Sequence, residues 1–390
     1  MDEIRVLTMN EIYQYTRNNQ LAYPTFYKGS KDELETMIKR QKEILETSSD
    51  LTPIGYFNDG NLAGNMLLVD FRMNYSGEIL PIGGISALAV HPAYKKQGIA
   101  RSLIQYGLKW SKDKNHLFSI LYPFNHKFYK NFNYGFTIPQ YHYSFHPKDI
   151  IIGTDLTNIK WIEDKDRERI LKFHNEYCLE TAGAVFKSTI DRRRILTPEV
   201  LNGVIYEVKD EIKGYLIYDA SNIDADRLLS QKMRVNEFVY KDGLALHGLL
   251  SFIKSQSDQF ERVDLFSYDS KFNVFLDDIS YSKGAKLLLP ISHKVAEVGL
   301  GLMVQVLDPK KVIEMICVDA FNLEVKSNKE ESETYEINGG GELVVIQKGL
   351  LSSVLFGSID INELIDKGLI DKPKVRIDLF VNKVRCNSIF

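Results

Sequence analysis

Between Ile85 and Arg101 an apolar run ending Leu88-Ala89-Val90 passes through His91-Pro92-Ala93-Tyr94 into a basic loop, Lys95-Lys96-Gln97-Gly98. Ile99, Leu103, Tyr106 and Trp110 then recur at the spacing of one helix face. The chemistry open to such a strand–loop–helix is anion binding. The first backbone N–H groups of a helix lack partners within it and carry the positive end of its dipole, so they favour phosphate oxygens. Gly98 lets the backbone come close to a pyrophosphate, and Lys95 and Lys96 add positive charge. A solvated basic turn ahead of an amphipathic helix would read the same way, so the loop by itself leaves both readings open.

The elements around the loop must hold it. Patterning predicts a strand over residues 4–7, helices over 10–17 and 31–46, and a hairpin of 54–57 and 62–73. The hairpin turns through Asn58-Asp59-Gly60, and Asp-Gly favours the positive φ of a tight turn. A strand over 79–90, a helix over 99–110 and strands over 117–121 and 132–145 complete a mixed α/β sheet. Beyond it lies a weak repeat. Tyr56 to Gly64 and Asp70 are echoed by Tyr206 to Gly214 and Asp219, and a strand over 233–240 again leads into a helix, 244–253. The last hundred residues change character. Phe321, Leu323 and Val325 alternate with polar neighbours, as do Val375, Ile377 and Leu379, the period of half-buried strands. With short helices over 309–315 and 350–356, this predicts a separate α+β domain from about residue 290.

Composition narrows the class. Of 390 residues, 44% are hydrophobic and 26% charged, as in ordinary globular proteins, and the length suits two or three domains. A formal net charge of −3 gives no support to a nucleic-acid partner, which usually needs a basic face. No stretch approaches the roughly 20 continuous apolar residues that span a bilayer. The opening MDEIRVLTMN has no basic region leading into an apolar one, so neither a membrane span nor a signal peptide is expected. Cys178, Cys317 and Cys386 lie too far apart for a disulfide framework or a CxxC site, which suits reduced cytoplasmic thiols. His91, His126 and His247 have no metal-ligand spacing with Asp, Glu or Cys, so no metal is expected.

Lys95-x-x-Gly98-x-Ala100 after Leu88-Ala89-Val90 resembles the acetyl-CoA motif of the GNAT acetyltransferase superfamily, with Lys where Arg or Gln usually stands. The resemblance implies a CoA site built from Leu88, Ala89, Val90, Lys95, Lys96, Gln97, Gly98, Ile99, Ala100 and Arg101. Phe128-Tyr129 with Phe132 and Tyr134-Gly135-Phe136 resembles the family segment that carries a Tyr beside the CoA sulfur. Tyr129 takes that place, as general acid for the departing thiolate; Tyr134 competes for the role. Leu21-Ala22-Tyr23-Pro24-Thr25-Phe26-Tyr27 matches the acceptor-lining segment.

The whole chain is similar to the Enhanced intracellular survival (Eis-like) acetyltransferases. That resemblance implies a GNAT domain over 1–148, a second, degenerate GNAT-like domain over 149–288, and a sterol-carrier-protein-like α+β domain over 289–390, whose helix lies at 349–357. In the second copy only Lys241-Asp242-Gly243 separates Tyr240 from Leu244, too short a loop to cradle a pyrophosphate. The family further implies a cytoplasmic hexamer and a terminal Phe390 whose carboxylate acts as general base on the acceptor amine. Ile389 stands where the best-known member has an acid, which counts against highly cationic aminoglycosides as substrates. The expected reaction is direct acetyl transfer from acetyl-CoA to a primary amine of a small molecule or peptide. The competing readings are a non-catalytic acyl-CoA or lipid carrier and a tandem aminoacyl transferase using charged tRNA; the missing basic patch weakens the last.

Overall fold

The computed structural model describes residues 2–24, 31–137, 139–197, 202–224, 230–278, 295–328, 331–371 and 379. The chain opens with strand β1 (Glu3–Val6) and helices α1 (Ile12–Ala22) and α2 (Lys31–Thr47). Next is a hairpin of β2 (Leu51–Asn58) and β3 (Asn61–Tyr75). Its turn residues Asp59 and Gly60 stand at φ 46° and 81°, the paired positive values that match the twist of the strands they join. Then come β4 (Glu78–Val90), α3 (Ile99–Asp113), β5 (Phe118–Leu121), α4 (His126–Lys130) and β6 (Gly135–Phe136).

The stretch expected to be one strand over 132–145 is divided. Asn133 stands at φ 63°, and Pro139 has no N–H to give to a ladder. The strand after Pro139, β7 (Gln140–Phe145), belongs to a second sheet. That sheet also takes β8 (Ile159–Trp161), and helices α5 (Arg167–Glu180) and α6 (Thr189–Leu196) come next in the chain. Strands β9 (Asn202–Val208), β10 (Glu211–Asn222) and β11 (Gln231–Tyr240), helix α7 (Gly243–Ser255), β12 (Arg262–Ser267) and β13 (Glu297–Gly299) complete it, in the order β13-β7-β12-β11-β10-β9-β8.

The chain then returns to the first sheet. Strand β14 (Met303–Val306) pairs antiparallel with both β5 and β6, giving the order β1-β2-β3-β4-β5-β14-β6. Helix α8 (Pro309–Ile316), strands β15 (Phe321–Lys326), β16 (Ser332–Ile337) and β17 (Leu343–Gln347), and helices α9 (Lys348–Leu355) and α10 (Ile361–Asp366) end the described elements. The three strands form a small sheet, β16-β15-β17. Val375 and Ile377 lie outside the described residues.

By contacts the chain forms two compact units, Met1–Thr137 with Thr181–Asp191 and Leu302–Phe390, and Ile138–Glu180 with Arg192–Gly301. In the first unit β3 is buried on both faces, so its apolar run is nearly continuous. Met66 and Leu68 pack with α3; Leu67, Val69, Phe71 and Met73 share the other face's core with Phe321, Leu351 and Phe356. Phe118 meets Phe356 edge-on at 5.3 Å between centroids, and the Tyr75 hydroxyl donates to the Leu355 carbonyl at 2.6 Å. The C-terminal helices thus close the same core as the first sheet.

The weak repeat is a shared register. Tyr56 faces Gly64 and Phe57 faces Leu62 across β2 and β3; Tyr206 faces Gly214 and Glu207 faces Ile212 across β9 and β10. Gly64 in turn faces Val90, and Gly214 faces Tyr240. Both copies carry the same bulge, at Ala63 and at Lys213.

Candidate active site

The site begins at an irregularity in β4. Asn65 on β3 faces Ala89, but Leu67 faces Ser86, so Met66 alone opposes both Ala87 and Leu88. Ala87 accordingly takes φ 48°, a left-handed conformation that costs a residue with a Cβ about 1–3 kcal/mol and needs support around it. The support is visible. Asn65, fully buried, donates from Nδ2 to the Ala87 carbonyl at 3.3 Å and to Asn19 Oδ1 at 2.9 Å. The Tyr23 hydroxyl donates to the Leu88 carbonyl at 2.6 Å. The parallel ladder between β4 and β5 runs from Ile82–Phe118 to Ile85–Leu121 and ends at the bulge. Beyond it, the β4 backbone parts from β5. Leu88 and Ala89 are buried there and Val90 is half-buried.

From Val90 the chain turns through Pro92–Tyr94, with His91 Nδ1 accepting from the Ala93 N–H at 3.2 Å. Lys95, Lys96, Gln97, Gly98 and Arg101 are exposed. Lys96 and Gly98 stand at φ 64° and 84°, and this double reversal turns the loop into α3. Among the described residues no side chain caps the helix at Gly98. The first bond into the helix is Ser102 N–H to Gly98 carbonyl, 3.0 Å, so the N–H groups of Ile99, Ala100 and Arg101 are the donors that α3 cannot satisfy itself. A Cβ on Gly98 would meet none of the described residues within 4 Å. Among the described residues the approach to these donors is open, and the residues fit a pyrophosphate.

Packing fixes the direction of α3. A Cβ on Gly64 would come within 2.7 Å of Ile99 Cγ2, and one on Gly107 within 3.0 Å of Ile85 Cδ1. These two glycines seat the helix directly on β3 and β4. Leu103 is fully buried between them, and its truncation to Ala would cost about 2–5 kcal/mol.

Tyr129 sits on α4, which Asn125 starts by accepting from the Phe128 N–H at 3.1 Å. The Tyr129 residue is 2% exposed and shares an apolar cluster with Leu88, Ile99 and Leu103. Phe124, Phe128 and Tyr134 meet its ring edge-on at 5.3, 5.1 and 6.1 Å. Burial, with smaller contributions from Tyr23 and Tyr134, pushes its pKa well above the ordinary tyrosine value. The hydroxyl is thus a neutral donor at physiological pH. It has no hydrogen-bond partner among the described residues. The Tyr134 hydroxyl is also pushed up by burial but is paired with Ser119 Oγ at 2.7 Å. Of the two tyrosines, Tyr129 has the uncommitted hydroxyl.

Asn65 and Asn19 hold the bulge, and the sequence patterning does not flag them. The signal for them is Asn18-Asn19, two amides buried on the face of α1 that also buries Ile12, Tyr15 and Thr16. Tyr23 was expected to line an acceptor pocket, and its hydroxyl is found on the bulge. Thr25, Phe26, Tyr27 and Phe390 lie outside the described residues.

In the second copy, β11 leads into α7 after only Lys241 and Asp242. The Asp242 carboxylate caps that helix. An anion of the protein's own thus stands where α3 leaves its donors open.

Residues 3–137 match a family model described as acetyltransferase (GNAT) domain, and residues 186–287 match a second model of the same description. No curated protein matches the sequence. Among solved structures, a GCN5-related N-acetyltransferase from Anabaena variabilis aligns with TM-score 0.77 at 16% identity over 99% of each chain. A GCN5-related N-acetyltransferase from Kribbella flavida gives 0.75 at 17% identity, covering 100% of this chain and 98% of that one. Eis1 from Mycobacterium abscessus gives 0.70 at 15%, covering 95% and 93%. At such identities the likeness is one of fold. The mixed α/β architecture with tandem domains of this type is the one expected from the sequence.

Proposed function

We propose that this chain, an N-acetyltransferase with two GNAT domains, transfers acetyl from acetyl-CoA to a primary amine, and that only its first domain is catalytic. The observation that carries the reading is the contrast between the helix starts after equivalent strands. Gly98 leaves the α3 donors open, whereas Asp242 fills its own helix start. The N–H groups of Ile99, Ala100 and Arg101 hold the pyrophosphate, with Lys95, Lys96 and Gln97 around it. The splayed backbone of Leu88, Ala89 and Val90 receives the pantetheine arm. The amine attacks the thioester carbonyl directly, and the carbon–sulfur bond breaks. Tyr129 gives its proton to the departing sulfur, and the Phe390 carboxylate takes a proton from the nitrogen.

The remaining parts of the reading rest on the family resemblance. They are the three-part division at 148/149 and 288/289, a sterol-carrier-like last domain, a cytoplasmic location and assembly as a hexamer. Light scattering that returned a 44.8 kDa species would remove the hexamer.

Gly98→Glu tests the central claim. Its carboxylate would enter the phosphate space, and acetyl-CoA binding should vanish by calorimetry. A folded Gly98→Glu protein with wild-type affinity would move the CoA site elsewhere.

A further inference from the structure

Side chains on β14 alternate between the faces of the first sheet. Val304 and Val306 enter the core shared with the C-terminal helices; Met303 joins the cluster under α3, and Gln305 shares its face. Gln305 is 5% exposed, and its Oε1 is buried with no hydrogen-bond partner among the described residues. A primary amide in that position is costly unless something pairs with it.

Beside Gln305 lies a cavity of about 400 Å³, walled also by Gln105 and Lys112 of α3, Phe132, Glu333 and Lys348. Lys348 is the first residue of α9 and is 7% exposed. Its one ion pair among the described residues is a long one, 3.8 Å to Glu333. Burial lowers its pKa, and Glu333 offsets this only in part. Two largely buried residues that line one cavity, Lys348 and Gln305, therefore leave most of their hydrogen-bonding capacity unused.

Charge identifies what fits. Lys109 and Asp113 on the rim neutralise each other at 2.7 Å. The lining that remains charged is Lys112 and Lys348 against Glu331 and Glu333. A bare anion would meet the two carboxylates, and a bare cation the two lysines. We propose that this cavity binds a small zwitterion of amino-acid or dipeptide type, its carboxylate on Lys348, Lys112 and the Gln305 amide N–H, its ammonium on Glu333. The site is separate from the CoA loop. Gln105 and Lys112 lie about 10 and 20 Å along α3 from Gly98 at 1.5 Å per residue. Binding there does not depend on acetyl transfer.

Calorimetry on the full chain, without acetyl-CoA, tests it with glycylglycine as the probe and glycinamide and N-acetylglycine as its singly charged counterparts. Glycylglycine should bind, and each counterpart should bind at least about tenfold more weakly. Lys348→Met and Gln305→Leu should each weaken glycylglycine by a similar factor while thiol release from acetyl-CoA is kept. Lys348→Met should leave the melting temperature unchanged or raised, because it removes a poorly paired buried charge. Absence of saturable glycylglycine binding to the wild type up to about 10 mM overturns the proposal. So does equal binding by both variants, which would place the dipeptide in the acceptor site instead.

Discussion

The Asp242 carboxylate accepts a 2.9 Å hydrogen bond from the Ala245 N–H at the start of α7. A capping carboxylate both satisfies an orphan donor and opposes the helix dipole. Asp242→Ala should therefore destabilise the protein by about 0.5–2 kcal/mol in urea unfolding. It should leave acetyl-CoA binding unchanged and add no second equivalent, because the loop before α7 is too short to cradle a pyrophosphate. Stability equal to wild type would mean that the cap contributes nothing, and a second bound equivalent would mean that Asp242 alone silences that copy.

Tyr129→Phe should lower turnover by about 10²–10⁴-fold, the usual worth of a general acid, with acetyl-CoA affinity nearly intact. Tyr134→Phe loses its bond to Ser119 and should show mainly a stability cost of about 1 kcal/mol. The reverse pattern in steady-state kinetics would assign the acid to Tyr134.

The loop, the helix behind it and the hairpin turn were legible in sequence because each depends on local chemistry: Gly98 at φ 84°, the Ile99–Leu103 stripe, and Asp59-Gly60. The bulge was not, because no residue type marks Ala87 for a positive φ. Its cause lies 22 residues earlier at Asn65, and 68 residues earlier at Asn19. The same holds for β14, which is four residues of ordinary apolar alternation. Its place between β5 and β6 is decided by pairing partners far away in sequence, and periodicity carries no information about those. The division of residues 132–145 turns on Pro139, which has no N–H to give to a ladder.

The tail offers a test that needs no point mutation. VNKVRCNSIF contains no Asp or Glu, so the role proposed for the tail falls on the Phe390 carboxylate. Residues appended after Phe390 would turn that carboxylate into a neutral amide. Acetyl transfer should fall at least about tenfold while acetyl-CoA binding is retained. Full activity in a C-terminally tagged protein would take Phe390 out of the mechanism.

Acid should release one tie in the N-terminal segment. Arg5 donates to Glu11 at 2.6 and 3.0 Å, and the Thr8 N–H donates to it at 2.7 Å. Led by the Arg5 bonds, these hold the Glu11 carboxyl at about 2, against 4.5 ordinarily. A depressed carboxyl stabilises the fold above its unfolded pKa and loses that contribution as pH falls towards the folded one. Glu11→Gln should thus cost about 1 kcal/mol at neutral pH, allowing for solvent around Arg5, and progressively less from about pH 4.5 down to 2. Chemical unfolding at pH 7 and pH 2.5 measures both limits; a difference that stays constant with pH would exclude the titration of Glu11 as its source.

The position of β14 sets a schedule for synthesis. The first sheet's β5 is complete at Leu121, but the strand that pairs with its free edge begins at Met303. At about 5–20 residues per second, a ribosome leaves that edge unpaired for roughly 10–40 seconds. During this time the nascent first sheet exposes an apolar strand, Phe118–Leu121, to any other chain nearby. A fragment ending at residue 148 would hold that state permanently, and it should aggregate where the full chain stays soluble. The first sheet cannot be completed until the residues between Leu121 and Met303 have been made.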